Sequence, residues 1–289
     1  MKIAVCMKWV PDPEYPFQAS VGGVRLDAPG LTYLANQLDM VACETGIRLK
    51  ETTGGTVTVV TVGPAAAESA LRSGAAMGAD AAKRIEFNND VSGGSERIAC
   101  LLASALGEDA PDVIVCGARS SDSGSGTVPI ILAERLGRPL VANVTSLEGG
   151  DVLKIERRMD GGHRQLIQVS PPVVITVEES LCDPRYPSVV ARHKAGRMTI
   201  DVRTPMQLGV GFPVQSISFK HLQGPRPLSA RLVAPPPELG ARGRLAYVLA
   251  GGPDQKRTPK QLDGPVPAVV DQLMAYLAAN GVIGSEGRK

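Results

Sequence analysis

Short apolar runs that alternate with helical patterns restrict the fold of this chain more than any other feature. Residues 2–10, 56–62 and 113–116 are short and predominantly apolar, which is typical of strands that are covered on both faces. Helical periodicity separates and follows these runs, at residues 36–50, 65–77, 95–107 and 128–136. Because strands that alternate with helices form parallel sheets, the sequence predicts an α/β fold with helices flanking a parallel sheet.

The segments that follow three of these strands predict where a ligand binds. Residues 11–13, 63–64 and 117–127 leave the carboxyl ends of the predicted strands. Right-handed crossovers bring such ends to one edge of a parallel sheet, and ligands bind in the crevice at that edge. A binding site there is therefore expected from the fold alone.

The chain changes character after residue 141. Short strands are indicated at 144–147, 152–158 and 165–169, and glycine-rich turns join them. This pattern predicts an antiparallel hairpin segment, followed by one more buried strand at 173–177.

The last third of the chain is rich in proline. Prolines beyond residue 205 exclude long regular elements, although residues 266–279 have a helical pattern. We therefore expect a domain over 1–204 and an extended C-terminal arm over 205–289 that ends in a helix.

The composition excludes several classes of function. In 289 residues, 31 basic side chains balance 29 acidic ones and aromatic residues make up only 3%, which argues against a nucleic-acid partner. No apolar run approaches the roughly 18 residues of a membrane span, so no membrane insertion is expected. The five cysteines form no CxxC pair, and the first ten residues have no leader pattern. No metal site and a reducing, cytoplasmic compartment are therefore expected.

The segment Gly117-Ala-Arg-Ser-Ser-Asp-Ser-Gly-Ser-Gly-Thr-Val-Pro129 is the most informative local feature. It follows a strand and opens a helix, and its small residues, hydroxyls and free N–H groups suit a phosphate. Arg119 adds positive charge. The segment is neither GxGxxG nor GxxxxGK[ST], so the alternative of a turn capped by Ser or Thr stays open.

Groups suited to catalysis are scarce. Ser125 does not stand in a GxSxG elbow, and none of the three histidines is an obvious base for it. The sequence shows neither paired carboxylates nor a lysine placed to clamp phosphate. This scarcity favours a binding function over an enzymatic one.

Residues 183–197 have the composition of a docking segment. Two prolines stiffen this stretch, Tyr186 and the valines are apolar, and a basic run follows them. An apolar anchor with a charged rim can bind a partner protein, whereas the alternative is an ordinary surface loop.

Taken together and in order, several segments resemble the beta subunit of electron transfer flavoproteins (the ETF-beta family), over about residues 1–205. They comprise the opening KIAVCMKWVPD, Asn36 followed by Glu44 and Arg48-Leu-Lys-Glu51, Thr61-Val-Gly-Pro64, Ala75–Asp80, Pro111–Pro139, Glu156–Gly162, Pro172–Val177 and Pro184-Arg-Tyr-Pro187. The resemblance implies a Rossmann-like sheet of the adenine nucleotide alpha hydrolase type. It further implies a heterodimer with an ETF alpha subunit, which holds most of the electron-transferring FAD.

The resemblance also implies an adenine nucleotide in this subunit, AMP in most members and a second FAD in electron-bifurcating ones. The cofactor contacts carried over by position, together with Arg119, are Cys6, Asn36, Val62, Asp122, Ser125, Gly126, Thr127 and Val128. The partner-docking positions are Arg185, Tyr186, Val189 and Lys194. The implied role is that of an electron carrier, which takes electrons from a flavin dehydrogenase and passes them to a quinone oxidoreductase or a similar acceptor.

Three positions depart from the family pattern. Arg119 and Thr127 stand where the nucleotide loop commonly has Gln, and Val189 replaces the usual Leu anchor. These changes leave AMP and FAD as alternatives and suggest a donor other than the common acyl-CoA dehydrogenases. A bifurcating member that accepts electrons from NADH is the second interpretation. The third is a stand-alone adenine-nucleotide-binding protein of the universal-stress type.

Overall fold

The apolar runs become neighbouring strands of one sheet, and the periodic segments become helices that pack against it. The computed structural model describes residues 1–14, 31–87, 94–210, 235–236, 238–249 and 262–279. Contacts divide the chain into two units, Met1–Gly224 and Pro225–Lys289. The domain boundary that the sequence places after residue 204 stays a prediction.

The described residues contain eleven strands and seven α-helices. The strands are β1 (Lys2–Cys6), β2 (Trp9–Pro11), β3 (Tyr33–Ala35), β4 (Thr56–Gly63), β5 (Ala81–Glu86), β6 (Val113–Gly117), β7 (Leu140–Glu148), β8 (Leu153–Arg158), β9 (Arg164–Val169), β10 (Val173–Val177) and β11 (Asp201–Arg203). The helices are α1 (Gln37–Thr53), α2 (Glu68–Met77), α3 (Gly94–Asp109), α4 (Val128–Leu136), α5 (Val189–Gly196), α6 (Ala241–Leu249) and α7 (Val266–Ala279).

Nine strands form one sheet in the order β11–β5–β4–β1–β6–β10–β7–β8–β9, and β2 pairs with β3 separately. The seven strands from β11 to β7 are parallel, whereas β8 and β9 continue the sheet as antiparallel neighbours. The chain runs from β1 to β4 and β5 on one side and then returns to β6 on the other. This reversal opens a crevice at the carboxyl ends of β4, β1 and β6. The predicted Rossmann-like α/β fold is confirmed.

Side chains of the parallel strands alternate between two apolar cores. Ile3 and Val5 of β1 pack with helices α1 and α2, whereas Ala4, between them, belongs to the core under α3 and α4. Every residue of β6 and of β10 is buried. Coverage on both faces explains why these strands are predominantly apolar rather than alternating, with Thr176 of β10 as the buried polar exception.

Several predicted elements have the expected bounds, including α4 and α7. The run 2–10, in contrast, forms two strands, because Met7 and Lys8 leave the extended ladder. The Met7 backbone N–H donates to the carbonyl of Val60 at 2.8 Å, and that of Lys8 donates to the Asp39 carboxylate at 2.8 Å. The expected helix over 65–77 begins as a single 3₁₀ turn before α2. Strands β3, β5 and β11 and helices α5 and α6 have no counterpart among the elements predicted from the sequence.

The described part of the second unit consists mainly of α6 and α7. Helix α6 shows that the proline-rich region contains one more regular element than the sequence indicated. Among the described helices, none has the length and apolar character needed to cross a membrane.

Candidate nucleotide-binding site

A cavity of about 430 Å³ lies at the predicted edge of the sheet. Its walls come from the carboxyl ends of β1, β4 and β6 and from the first turns of α1, α3 and α4. Thr61 lies on the α1–α2 side of the sheet, because it is two residues after Val59 on β4, and Ala67 adjoins Gly63, two residues further on. Ile98 and Val128 lie on the α3–α4 side. The cavity therefore reaches over the sheet edge from one face to the other.

Most of the residues predicted to contact a cofactor meet in this cavity. Seven of the nine line it: Cys6, Asn36, Val62, Arg119, Ser125, Gly126 and Val128. The other two adjoin it. Asp122 bonds to Lys8, which lines the cavity, and Thr127 precedes α4 and donates from its hydroxyl to Ser125 Oγ at 3.4 Å. The predicted residues therefore meet at one cavity, and their contacts to a nucleotide stay a prediction.

Glycines let the segment 117–127 lie close to its neighbours. A Cβ on Gly117 would stand 2.4 Å from Asp39 Oδ1, a distance that no real side chain tolerates. Gly126 has a φ of +61°, and a Cβ there would meet the carbonyl of Ala118 at 2.9 Å. Only glycine satisfies both the conformation and the space at this second position.

Asn36 fixes the same segment from the start of α1. Its Nδ2 donates to the Arg119 carbonyl at 3.1 Å, and its Oδ1 accepts from the Ser121 N–H at 3.0 Å. The amide is therefore occupied with loop backbone, and its contribution to ligand binding is to hold the loop in shape.

Lys8 is a functional candidate that sequence reasoning missed. Its ammonium donates to Asp122 Oδ1 at 2.7 Å and to Ser120 Oγ at 3.2 Å, so it lies over the segment 117–127. Burial would raise the pKa of Asp122, but hydrogen bonds from Lys8 and Ser120 outweigh it and lower that pKa. Only the position of Lys8 in the sequence could have pointed to it, because Lys8 follows the carboxyl end of the first predicted strand.

Asp39 is a second residue that the sequence did not point to. It lies in the first turn of α1, lines the cavity and accepts the N–H groups of Lys8 at 2.8 Å and Gly117 at 3.1 Å. Burial raises its pKa to about 7, even though the hydrogen bonds from Lys8, Asn36 and Gly117 lower it. The carboxyl group ties α1 to the ends of both β1 and β6.

Two thiols and two unpartnered polar atoms complete the walls. Cys6 and Cys116 are register partners on β1 and β6, and their mutual hydrogen bond, together with burial, raises the pKa of Cys116. Within the described residues, Trp9 Nε1 and Thr61 Oγ1 are buried without a hydrogen-bond partner. Buried polar atoms of this kind are uncommon and are found where a ligand or ordered water completes a site.

The residues present fit the phosphate of a nucleotide. In the part of the chain that the structure describes, no side chain caps the amino end of α4, and Val128 and Pro129 there face the cavity. The dipole of that helix end, the Lys8 ammonium and the serine hydroxyls favour an anion. Within the described ranges, no cluster of three potential ligands could hold a metal. The arrangement suits the binding of an anion.

A second cavity, of about 470 Å³, lies at the opposite, amino edge of the sheet. Two of its cations are paired within the cavity, because Lys83 bonds to Asp109 at 2.5 Å and Arg203 bonds to Asp201 at 3.1 Å. It is far from every residue predicted to contact a cofactor, and the edge it occupies is not the one where such folds bind ligands.

The docking segment, residues 183–197, divides into outward and inward side chains. Tyr186 is 86% and Val189 84% exposed, and the guanidinium of Arg192 lies 4.6 Å from the Tyr186 ring centre. Lys194 is exposed in the last turn of α5. Arg185, in contrast, turns inward and bonds to Glu44 and Glu51 on α1.

Comparison with known proteins agrees with this geometry. A sequence model described as "Electron transfer flavoprotein domain" matches residues 29–207. Proteins named "Electron transfer flavoprotein subunit beta" are similar over most of the chain. The one from Bacillus subtilis is 34% identical over 70% of this chain and 78% of its own length. The one from Syntrophomonas wolfei is 36% identical over 65% of this chain and 74% of its own length. The chain therefore belongs to the electron transfer flavoprotein beta subunit family.

Proposed function

We propose that this chain is the beta subunit of a heterodimeric electron transfer flavoprotein and acts as an electron carrier rather than an enzyme. Its partner is an ETF alpha subunit, which holds the electron-transferring FAD. Electrons come from a flavin dehydrogenase and leave to a quinone oxidoreductase or a similar acceptor. The observation that carries this proposal is the cavity at the sheet edge, where seven of the nine predicted cofactor residues meet.

In this proposal the cavity binds AMP as a structural nucleotide. Lys8, Ser125 and the amino end of α4 hold the phosphate, since they supply its positive charge and donors. The apolar walls of Val62 and Val128 accept the adenine ring. Asn36 and Asp39 act indirectly, because their hydrogen bonds go to the backbone that forms the loop.

A second FAD in place of AMP is the alternative, with NADH as the donor in an electron-bifurcating complex. One observation favours it, namely that the cavity continues across the sheet edge to Thr61 and Ala67. That extension gives room for a ligand longer than a mononucleotide. Membership of the family leaves the third interpretation, a stand-alone adenine-nucleotide-binding protein of the universal-stress type, without support.

The docking segment serves the dehydrogenase. Tyr186 and Val189 form the exposed apolar anchor, and Lys194 belongs to the charged rim. Arg185 supports the docking segment without touching the partner, because its guanidinium bonds to Glu44 within its own subunit.

The first experiment measures the nucleotides directly. The chain is co-expressed with its alpha subunit, the complex is purified, and nucleotides released by acid are quantified by chromatography. We expect one FAD and one AMP per heterodimer, whereas two FAD and no AMP would establish the bifurcating alternative. A complex that contains no nucleotide beyond the FAD of the alpha subunit would contradict the proposed cavity function.

Variants of the loop contacts test the cavity itself. Lys8→Met and Asn36→Leu should each lower occupancy of the nucleotide other than the first FAD roughly tenfold or more, since each removes a charge-assisted or buried hydrogen bond. Lys154→Met, at an exposed lysine on β8, is the matched control and should leave occupancy unchanged. Equal occupancy in all three variants would remove the cavity from the proposal.

A further inference from the structure

Glu44 is a charged side chain in an unusually buried position. It lies in the middle of α1 with only 2% of its side chain exposed, and it bonds to two arginines. Arg48, one turn later, donates from Nε to Glu44 Oε1 at 2.6 Å. Arg185, at the start of the docking segment, donates to Glu44 Oε2 from its Nε at 2.7 Å and from its backbone N–H at 3.2 Å.

Glu51 completes the attachment two turns further along the same helix. Its carboxylate accepts Arg185 Nη1 at 2.7 Å and Nη2 at 3.0 Å, a bidentate pair. One guanidinium therefore bridges two carboxylates of α1. Burial works against the charge of Glu44, but the bonds from Arg185 and Arg48 outweigh it and lower its pKa.

The far end of the docking segment has an anchor of its own. Arg72 on α2 donates from Nη1 to the carbonyls of Ala195 at 2.9 Å and Gly196 at 2.8 Å, which closes the carboxyl end of α5. The exposed residues between Tyr186 and Lys194 therefore lie between two points where an arginine holds the segment: Arg185, bonded to α1, and the carboxyl end of α5, bonded to Arg72. Tyr186 follows Arg185 directly, so the position of the aromatic anchor depends on the first attachment.

We infer that Glu44 is the positioning residue of the docking segment and that it sets where Tyr186 and Val189 meet the partner dehydrogenase. The inference rests on the proposed function of that segment. If Arg185 left its place, Glu44 would keep a buried charge with one partner fewer, which is costly. This cost holds the segment in one arrangement before the partner arrives, and a preorganised surface binds more tightly.

The test uses the purified alpha–beta complex and a panel of flavin dehydrogenases, each with its own substrate. The dehydrogenase that reduces the flavin of the complex fastest is the probe. Glu44→Gln keeps the shape and removes the charge, and Glu51→Gln, at an exposed carboxylate, is the variant that leaves the fold least disturbed. Lys50→Gln, on the same helix but bonded to Asp80, is the matched control.

Glu44→Gln should raise KM for the complex about tenfold and leave kcat and nucleotide content unchanged. Amide hydrogens of residues 183–197 should exchange faster in the complex alone, and Lys50→Gln should change neither quantity. The double variant Glu44→Gln with Arg185→Gln should raise KM no more than Arg185→Gln alone, because Arg185→Gln already removes the bonds to both Glu44 and Glu51.

Val189→Asp separates failure of this inference from failure of the proposed function. If Val189→Asp raises KM but Glu44→Gln and Glu51→Gln do not, docking through the segment is supported and the role of Glu44 is overturned. If none of the three changes KM, while Met206→Asp at a 90% exposed site outside the segment also has no effect, the docking proposal and the inference fall together.

Discussion

Asp39 is a single residue on which two strand ends and a helix depend. Its carboxyl oxygens accept backbone N–H groups from the link after β1 and from the last residue of β6. Without Asp39, both N–H groups would lack this hydrogen-bond acceptor at the wall of the cavity. A short acidic side chain in the first turn of a helix suits this task, because the helix dipole favours it there.

The pH dependence of stability should reveal this carboxyl group. Burial raises its pKa from the usual 3.8 to about 7 in the folded protein. Because the folded value is the higher one, the group stabilises the fold fully below pH ~4, and this contribution is lost as the pH rises through 7. The free energy of unfolding of the native complex, relative to Asp39→Asn, should therefore fall by roughly 2–4 kcal/mol between pH 4 and 8.

Urea titration at several pH values provides the measurement. Asp39→Asn should match the native complex near pH 4, since the amide and the protonated carboxyl are both neutral and each accepts mainly through one carbonyl oxygen. As the pH rises through 7, the native complex should become the less stable of the two, and this growing difference in unfolding free energy identifies the titration. A difference of constant size would show that Asp39 titrates alike in the folded and unfolded chains.

At the scale of elements, the order of the strands makes a prediction about local opening. β6 and β10 are buried throughout and have neighbours on both sides, whereas β9 and β11 are the edges of the sheet. Amide exchange followed by mass spectrometry should be slowest in β6 and β10, on the order of 100-fold slower than in β9. Fast exchange in β10 would contradict its insertion between β6 and β7.

Elements with an uninterrupted apolar or periodic pattern could be predicted from the sequence. Helix α4 could be predicted because Gly137 and Pro139 end its pattern, and the loop before it could be singled out because it combines glycines with hydroxyls. β5 was missed because Lys83 and Arg84 interrupt its apolar run. In the structure both side chains are buried, and they bond to Asp109 and Glu68, which come from other elements.

The same limit explains the missed part of the site. Lys8 meets Asp122 across 114 residues, and Asp39 meets Gly117 across 78. Composition and spacing describe neighbours along the chain, so pairs of this kind become visible only when the strands are assembled. The inward direction of Arg185 could not be predicted for the same reason, since its partners lie on α1, far away in the sequence.

At the scale of the whole molecule, we expect the C-terminal arm to attach this subunit to the alpha subunit. Helix α7 has one charged residue, Asp271, in its 14 residues, and apolar side chains such as Val266, 76% exposed, face outward. Deletion of residues 225–289 should abolish co-purification with the alpha subunit, because this apolar surface would be lost.

A point variant separates the contribution of helix α7 to assembly from that of residues 225–289 as a whole. Leu273→Asp places a charge on the apolar surface of α7 and should weaken co-purification, whereas Arg242→Asp, on α6, should not. Quantitative pull-down of a tagged alpha subunit gives the measurement. Full recovery of the truncated chain would show that residues 1–224 suffice for assembly.

The place of β10 also constrains how the chain is made. β10 lies between β6 and β7 in the sheet, yet it is synthesised after both, and after β8 and β9 as well. Until Val173–Val177 has left the ribosome, β8 is the only one of the final neighbours of β7 that has been made, and the edge of β6 that β10 later covers has no partner. Since such non-local parallel pairing is slow, the growing chain passes through a period in which its half-built sheet needs protection from other chains.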